Sequence, residues 1–159
     1  LKYATYFNCK QITKGDSMEL LNKYPVIKLH IGLNVANFSS PHNYTFDTGE
    51  ILPACEKNVA VSMSLSPHHT RNEKDIRGIK VYDVEVLYHL NDRIKEDILK
   101  MAEMDAVDII LVPYPVMTAW KREANYTQDE AMLIALDKLR VCKLTDRVTK
   151  VISSTSFCV

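Results

Sequence analysis

The segment DIILVPY, residues 108–114, decides the fold class. Its apolar run is continuous rather than alternating, a pattern typical of a short strand that is buried on both faces. Pro113 and Pro115 end the run, because proline cannot donate a backbone hydrogen bond to a neighbouring strand. We therefore expect residues 108–114 to form the central strand of a sheet.

Three other segments, residues 26–35, 58–66 and 79–90, alternate apolar and polar side chains with a period of two. Such segments form strands with one buried face, which belong to a largely antiparallel sheet. The polar connections at residues 36–57 and 67–78 are long enough to be loops. The apolar faces that we expect in the core include Val61, Met63, Tyr82, Val84, Val86, Tyr88 and Leu90.

Helical spacing of apolar residues predicts helices at residues 92–104 and 128–144, and a shorter one at 17–24. Asn91 is the expected N-cap of the first of these, and Cys142 lies on the apolar stripe of the second. A final strand is expected over residues 149–159. The sequence thus predicts an α+β fold: a mixed, mainly antiparallel sheet with helices packed on one face, in a single domain covering residues 1–159.

The charges balance, because the chain has 20 basic and 20 acidic residues among its 159. Nucleic-acid binding usually needs a basic excess or stripe, so we expect no nucleic-acid partner. No apolar run approaches the ~20 residues of a membrane span, so we also expect no membrane partner. Without phosphate-binding or metal-binding signatures, we expect no cofactor and no metal site.

The four cysteines are widely spaced and form no Cys-x-x-Cys pair, so free thiols and a cytoplasmic location are expected. The alternative is a secreted domain with two disulfides. In that case Asn37, Asn43 and Asn125 would be glycosylation acceptors, since each begins an Asn-x-Ser/Thr triplet.

Phe46-Asp47-Thr48-Gly49 is similar to the segment that carries the catalytic carboxylate of aspartic proteases. That family pattern also needs a second segment of two apolar residues and a glycine. The only later glycine, Gly78, follows the charged Arg77. We therefore predict a turn here, with Asp47 kept as a candidate catalytic carboxylate.

His68, His69 and Thr70 contain a His-x-Thr pattern that resembles half of the motif in two-histidine phosphoesterases. Those enzymes need a second copy, one histidine acting as base and the other as acid, and no other histidine has a Ser or Thr two residues on. His68 and His69 stay candidate catalytic residues, with nearby carboxylates, of a small hydrolase or phosphoesterase.

The polar faces of the alternating strands suggest a recognition surface, provided that the strands are neighbours. Small serine side chains on such a face favour close approach by another surface. We expect a non-enzymatic binding or assembly module that acts through protein–protein contacts, as an oligomeric structural subunit would. The alternative is the small hydrolase or phosphoesterase. Whether the protein is an enzyme therefore stays open. The predicted partner is a protein or a second copy of the chain, and the candidate binding residues are His30, Ser62, Ser64, Asp83, Glu85, His89 and Trp120.

Overall fold

A computed structural model describes residues 14–59, 64–69 and 74–159. Four helices are found there: α1 (Lys14–Lys23), α2 (Asp92–Ala102), α3 (Tyr114–Thr127) and α4 (Glu130–Ala135). The strands are β1 (Val26–Lys28), β2 (Asn34–Asn37), β3 (Tyr44–Thr45), β4 (Ile51–Leu52), β5 (Ser64–His69), β6 (Lys74–Ile76), β7 (Ile79–Val81), β8 (Val84–His89), β9 (Ile109–Leu111), β10 (Leu139–Asp146) and β11 (Val151–Cys158).

The central sheet has five strands in the order β1-β2-β9-β10-β11. β9 lies at its centre and pairs in parallel with β2 and β10, while β1 and β11 are antiparallel edge strands. Ile110 packs into the hydrophobic cluster on one side of the sheet and Leu111 into the cluster on the other. The prediction of a central strand buried on both faces is confirmed.

All four helices contribute to the cluster on one side of the sheet, and none to the cluster on the other side. α2 begins as predicted, because Asn91 Oδ1 accepts the backbone N–H of Ile94 at 2.9 Å. Its buried face includes Ile98 and Met101. The opposite side of the sheet is covered by the β3–β4 hairpin and β11, through residues such as Phe46. Five of the seven strand pairings are antiparallel, so the predicted α+β class is confirmed.

The predicted helix at 128–144 is correct only over α4, and its second half is wrong. A helix of this region begins earlier, with Pro113 as the N-cap of α3 and Pro115 in its first turn. The first backbone N–H groups of a helix have no acceptor within the helix, so a proline there removes no hydrogen bond. Gln128 ends α3 with a left-handed φ of 55°, and only the six residues of α4 follow. Residues 139–146 form β10 because pairing with β9 and β11 outweighs their helical spacing, so Cys142 lies on a strand.

The predicted strand at 26–35 is interrupted. Gly32 takes a φ of +90°, a conformation that favours glycine, and its N–H bonds to the carbonyl of Leu29 at 2.8 Å. The segment therefore turns back on itself, and β1 pairs antiparallel with β2. His30 and Ile31 lie exposed at this turn.

The residues predicted to form two strands, 58–66 and 79–90, and the loop at 67–78 form two antiparallel strand pairs in the part of the chain that the structure describes. β5 extends to His69, within the predicted loop at 67–78, and pairs with β8. Val61, Ser62 and Met63 lie outside the described residues. The expected burial of Tyr82, Val84 and Val86 is wrong, and all three side chains are exposed.

Candidate interaction surface

β5 and β8 pair antiparallel over six residues each. Residues 74–81, which lie between them in the sequence, form the β6–β7 hairpin. We call the described residues from 64 to 89 the arm. Residues directly opposite one another in such a pair share a face of the sheet. The register therefore sorts the arm into two faces of different chemistry. The apolar arm face consists of Leu65, Pro67, His69, Val84, Val86 and Tyr88.

Most of the apolar arm face is open to solvent. Leu65 is 57% exposed, Val84 61% and Val86 51%. Tyr88 is half-buried where α3 contacts β8, so burial falls with distance from the helix layer. This explains the error in the predicted core, because the alternating pattern is present but the helices reach only one end of the strand. A two-stranded sheet with one uncovered apolar face is marginally stable on its own.

An aromatic contact continues this face towards the tip of the arm. The rings of His69 and Tyr82 stack with centroids 6.2 Å apart and planes inclined by 17°. Tyr82 itself is 45% exposed. The β6–β7 hairpin turns at Arg77 and Gly78, and both residues have the positive φ that a type I′ turn requires. The side chains on either side of this turn, Ile76 and Ile79, are exposed.

The opposite face of the arm, which we call the polar face, carries Ser66, Glu85 and His89 together with the half-buried Leu87. Ser66 Oγ and His89 Nε2 lie 2.6 Å apart, and Glu85 is exposed. The register pairs His68 with Glu85 and His69 with Val84. His69 is exposed.

Both edges of the arm carry features that oppose the addition of another strand. Pro67, in the middle of β5, has no N–H to offer a neighbouring strand. On β8, the carbonyl oxygen of Tyr88 already accepts a hydrogen bond of 2.5 Å from Arg122 Nη2 on α3.

The predicted polar face shared by all three alternating strands does not form. β1 and β2 belong to the central sheet, whereas β5 and β8 form a sheet of their own. His30 is therefore separated from the arm, and its ring Nδ1 lies 3.1 Å from Glu50 Oε2. Asp83 lies between β7 and β8, and Ser64 begins β5 opposite His89.

Trp120 is a core residue. It lies in α3, is fully buried, and donates a 3.0 Å hydrogen bond from Nε1 to the carbonyl oxygen of Met132 in α4. This contact joins the two helices across the break at Gln128 and leaves no side-chain surface for a partner. The sequence pattern predicts no helix over residues 114–127, so it does not reveal that the candidate binding residue Trp120 is buried.

Asp47 lies in the turn between β3 and β4, as predicted. The N–H of Gly49 bonds to the carbonyl of Phe46 at 2.9 Å, and Gly49 has a φ of +94°. Asp47 Oδ1 accepts the N–H of Ser154 at 3.1 Å, which ties this turn to β11. Within a single chain, the Asp47 carboxylate therefore has a hydrogen-bond partner on β11. Among the described residues, no second carboxylate contacts it.

Asn37 ends β2 at the carboxyl edge of the parallel strands, the edge at which many α/β proteins bind ligands. Its side-chain amide donates to the carbonyl oxygens of Pro53 at 2.9 Å and Ser40 at 3.2 Å, and its Oδ1 accepts the N–H of Ser40. Asn37 is fully buried, so the first of the three glycosylation triplets is inaccessible in the folded chain.

A surface groove of about 530 Å³ lies between α3 and the β10–β11 pair. Its polar side chains are those of Tyr114, Thr118, Lys121 and Cys158, and no histidine, aspartate or glutamate among the described residues lines it. Cys142 packs into the cluster on the opposite side of the sheet, and burial raises the pKa of its thiol.

Within the described ranges, no group of three histidine, cysteine, aspartate or glutamate side chains is arranged to hold a metal ion. The described helices include none with the length and apolar character needed to cross a membrane. The three cysteines in this part of the chain, Cys55, Cys142 and Cys158, are free, as predicted; Cys9 lies outside it. No protein-family model, no curated protein and no solved structure matches the chain.

Proposed function

We propose that the protein is a binding module that acts through protein–protein contacts, and that the apolar arm face is its interaction surface. The observation that supports this proposal is the exposure of Leu65, Val84 and Val86 on one side of a two-stranded sheet. Contiguous apolar surface of this kind is uncommon on monomers and typically marks an interface. Covering it would also stabilise an arm that is marginal alone.

The location of the polar groups agrees with this proposal. The polar face of the arm, with Glu85 and the Ser66–His89 contact, suits solvent. The apolar face carries His69 as its one ionisable side chain apart from the Tyr88 phenol. A surface depleted in charge is characteristic of the core of a protein–protein interface.

Site-specific photo-crosslinking tests the proposal. The photoreactive residue p-benzoylphenylalanine replaces Val86 on the apolar face or, as the matched control, Glu85 on the polar face of the same strand. Each purified variant is irradiated in an extract of the cells that make the protein. We expect discrete higher-mass adducts from position 86 that excess wild-type protein suppresses. Adducts of equal yield from positions 85 and 86, or none from either, would contradict the proposal.

A further inference from the structure

We infer that the partner of the arm is a second copy of this chain, and that two arms pack through their apolar faces about a twofold axis. This inference rests on the proposed function and adds the identity of the partner and the mode of contact. A twofold interface places the same patch of each copy against itself, so the patch must be self-complementary. The apolar arm face meets that requirement.

Charge supports a second copy. A patch that carries like charges would repel itself across a twofold axis, but the residues flanking the centre of the face, Leu65, Val84 and Val86, are uncharged. The whole chain has equal numbers of acidic and basic residues, 20 of each, so no long-range repulsion keeps copies apart. The acidic Glu85 lies on the other face and stays outside the contact.

The edges of the arm support packing by faces rather than by strand addition. Pro67 removes a donor from the middle of β5. Arg122 occupies the carbonyl of Tyr88 on β8. Two sheets that pack face to face lie about 10 Å apart, with their apolar side chains interdigitated between them. Valine and leucine on alternate positions provide such side chains.

The exposed area is that of a weak dimer. Leu65, Val84 and Val86 are between 51% and 61% exposed. The register of the β6–β7 hairpin pairs the charged Lys74 with Val81, so only the apolar arm face is counted, and two copies of it would bury less than roughly 1,000 Å² in total, the size of weak and transient interfaces. The two-stranded arms would thereby become a four-stranded, two-layer unit.

Sedimentation equilibrium of the purified chain tests this inference. We expect a mass twice the 18.2 kDa of the chain, a dissociation constant at least tenfold higher for Val86→Arg, and no such change for Glu85→Arg. Trp120 fluorescence, which reports the distant core, checks that both variants are folded.

A second measurement tests the geometry directly. In a Cys158→Ser background, Val86→Cys should form disulfide-linked dimers under mild oxidation, and Glu85→Cys should not. A wild-type chain that stays monomeric at tens of micromolar overturns the self-association, while face-specific adducts with a different protein would leave the proposed function standing. A dimer that both arginine variants weaken equally, or that neither weakens, overturns the packing by apolar faces.

Discussion

The hydroxyl of Tyr24 donates a hydrogen bond of 2.5 Å to Asp97 Oδ2, which joins the segment after α1 to α2. Lys23 Nζ lies 2.9 Å from the same oxygen. Tyr24 is fully buried and its ring stacks on Phe38 with centroids 4.7 Å apart. A buried carboxylate is costly unless it is paired, so these two contacts hold Asp97 in the helix layer.

Tyr24→Phe should destabilise the fold by about 1–3 kcal/mol, because the Asp97 carboxylate then keeps only its contact with Lys23. Urea denaturation followed by Trp120 fluorescence measures this loss. The control is Tyr126→Phe, since Tyr126 is almost fully exposed, and its free energy of unfolding should stay within ~0.5 kcal/mol of the wild type. Equal effects of the two substitutions would show that the Tyr24–Asp97 bond contributes little.

Alkaline pH should destabilise the protein through the same side chain. Burial, followed by the hydrogen bond to Asp97, raises the pKa of Tyr24 above its ordinary value. The unfolded chain therefore loses this proton first, and stability falls as pH rises above about 10, by up to ~1.4 kcal/mol per pH unit for this group.

Tyr24→Phe removes that part of the pH dependence. The free energies of unfolding of the wild type and the variant, measured between pH 8 and about 11, should therefore converge as the pH rises. A difference that stays constant over this range would show that Tyr24 does not titrate differently in the two states.

Asp47→Ala should cost about 0.5–1.5 kcal/mol of stability, because Ser154 then loses its hydrogen-bond acceptor. Asp47→Asn keeps an acceptor oxygen at this position, so its free energy of unfolding should lie closer to that of the wild type. Thermal unfolding compares the two variants. The opposite order, with the asparagine variant less stable than the alanine variant, would mean that the charge matters more than the bond.

The thiols should differ strongly in reactivity. Cys158 is exposed, whereas Cys55 is buried and its Sγ donates to the carbonyl oxygen of Asn37 at 3.2 Å. Burial also raises the pKa of the Cys55 and Cys142 thiols, so less of the reactive thiolate is present at neutral pH.

Peptide mass spectrometry after timed exposure to iodoacetamide resolves each cysteine. We expect alkylation of Cys158 to be at least tenfold faster than that of Cys55 in the folded protein, and the difference should vanish in denaturant. Comparable rates for these two cysteines before denaturation would contradict the burial of Cys55.

The sequence alone determined the elements whose patterns are local. The apolar run at 108–114 gives β9, the cap at Asn91 gives the start of α2, and Asp47-Thr48-Gly49 gives a turn. In each case the residues that define the element also supply its hydrogen bonds or its buried side chains. The α+β class followed from these elements without knowledge of their neighbours.

Tertiary structure decided between helix and strand where the sequence pattern of a segment predicts one and its neighbours favour the other. It also decided which apolar faces of the strands are covered by other elements. Residues 139–146 have helical spacing, but they pair with β9 and β11 as a strand. The alternation at Val84 and Val86 predicts a strand with one apolar face, and this is correct. Alternation cannot say what lies against that face, because burial depends on how far α3 reaches along β8, a distance that no local sequence pattern encodes.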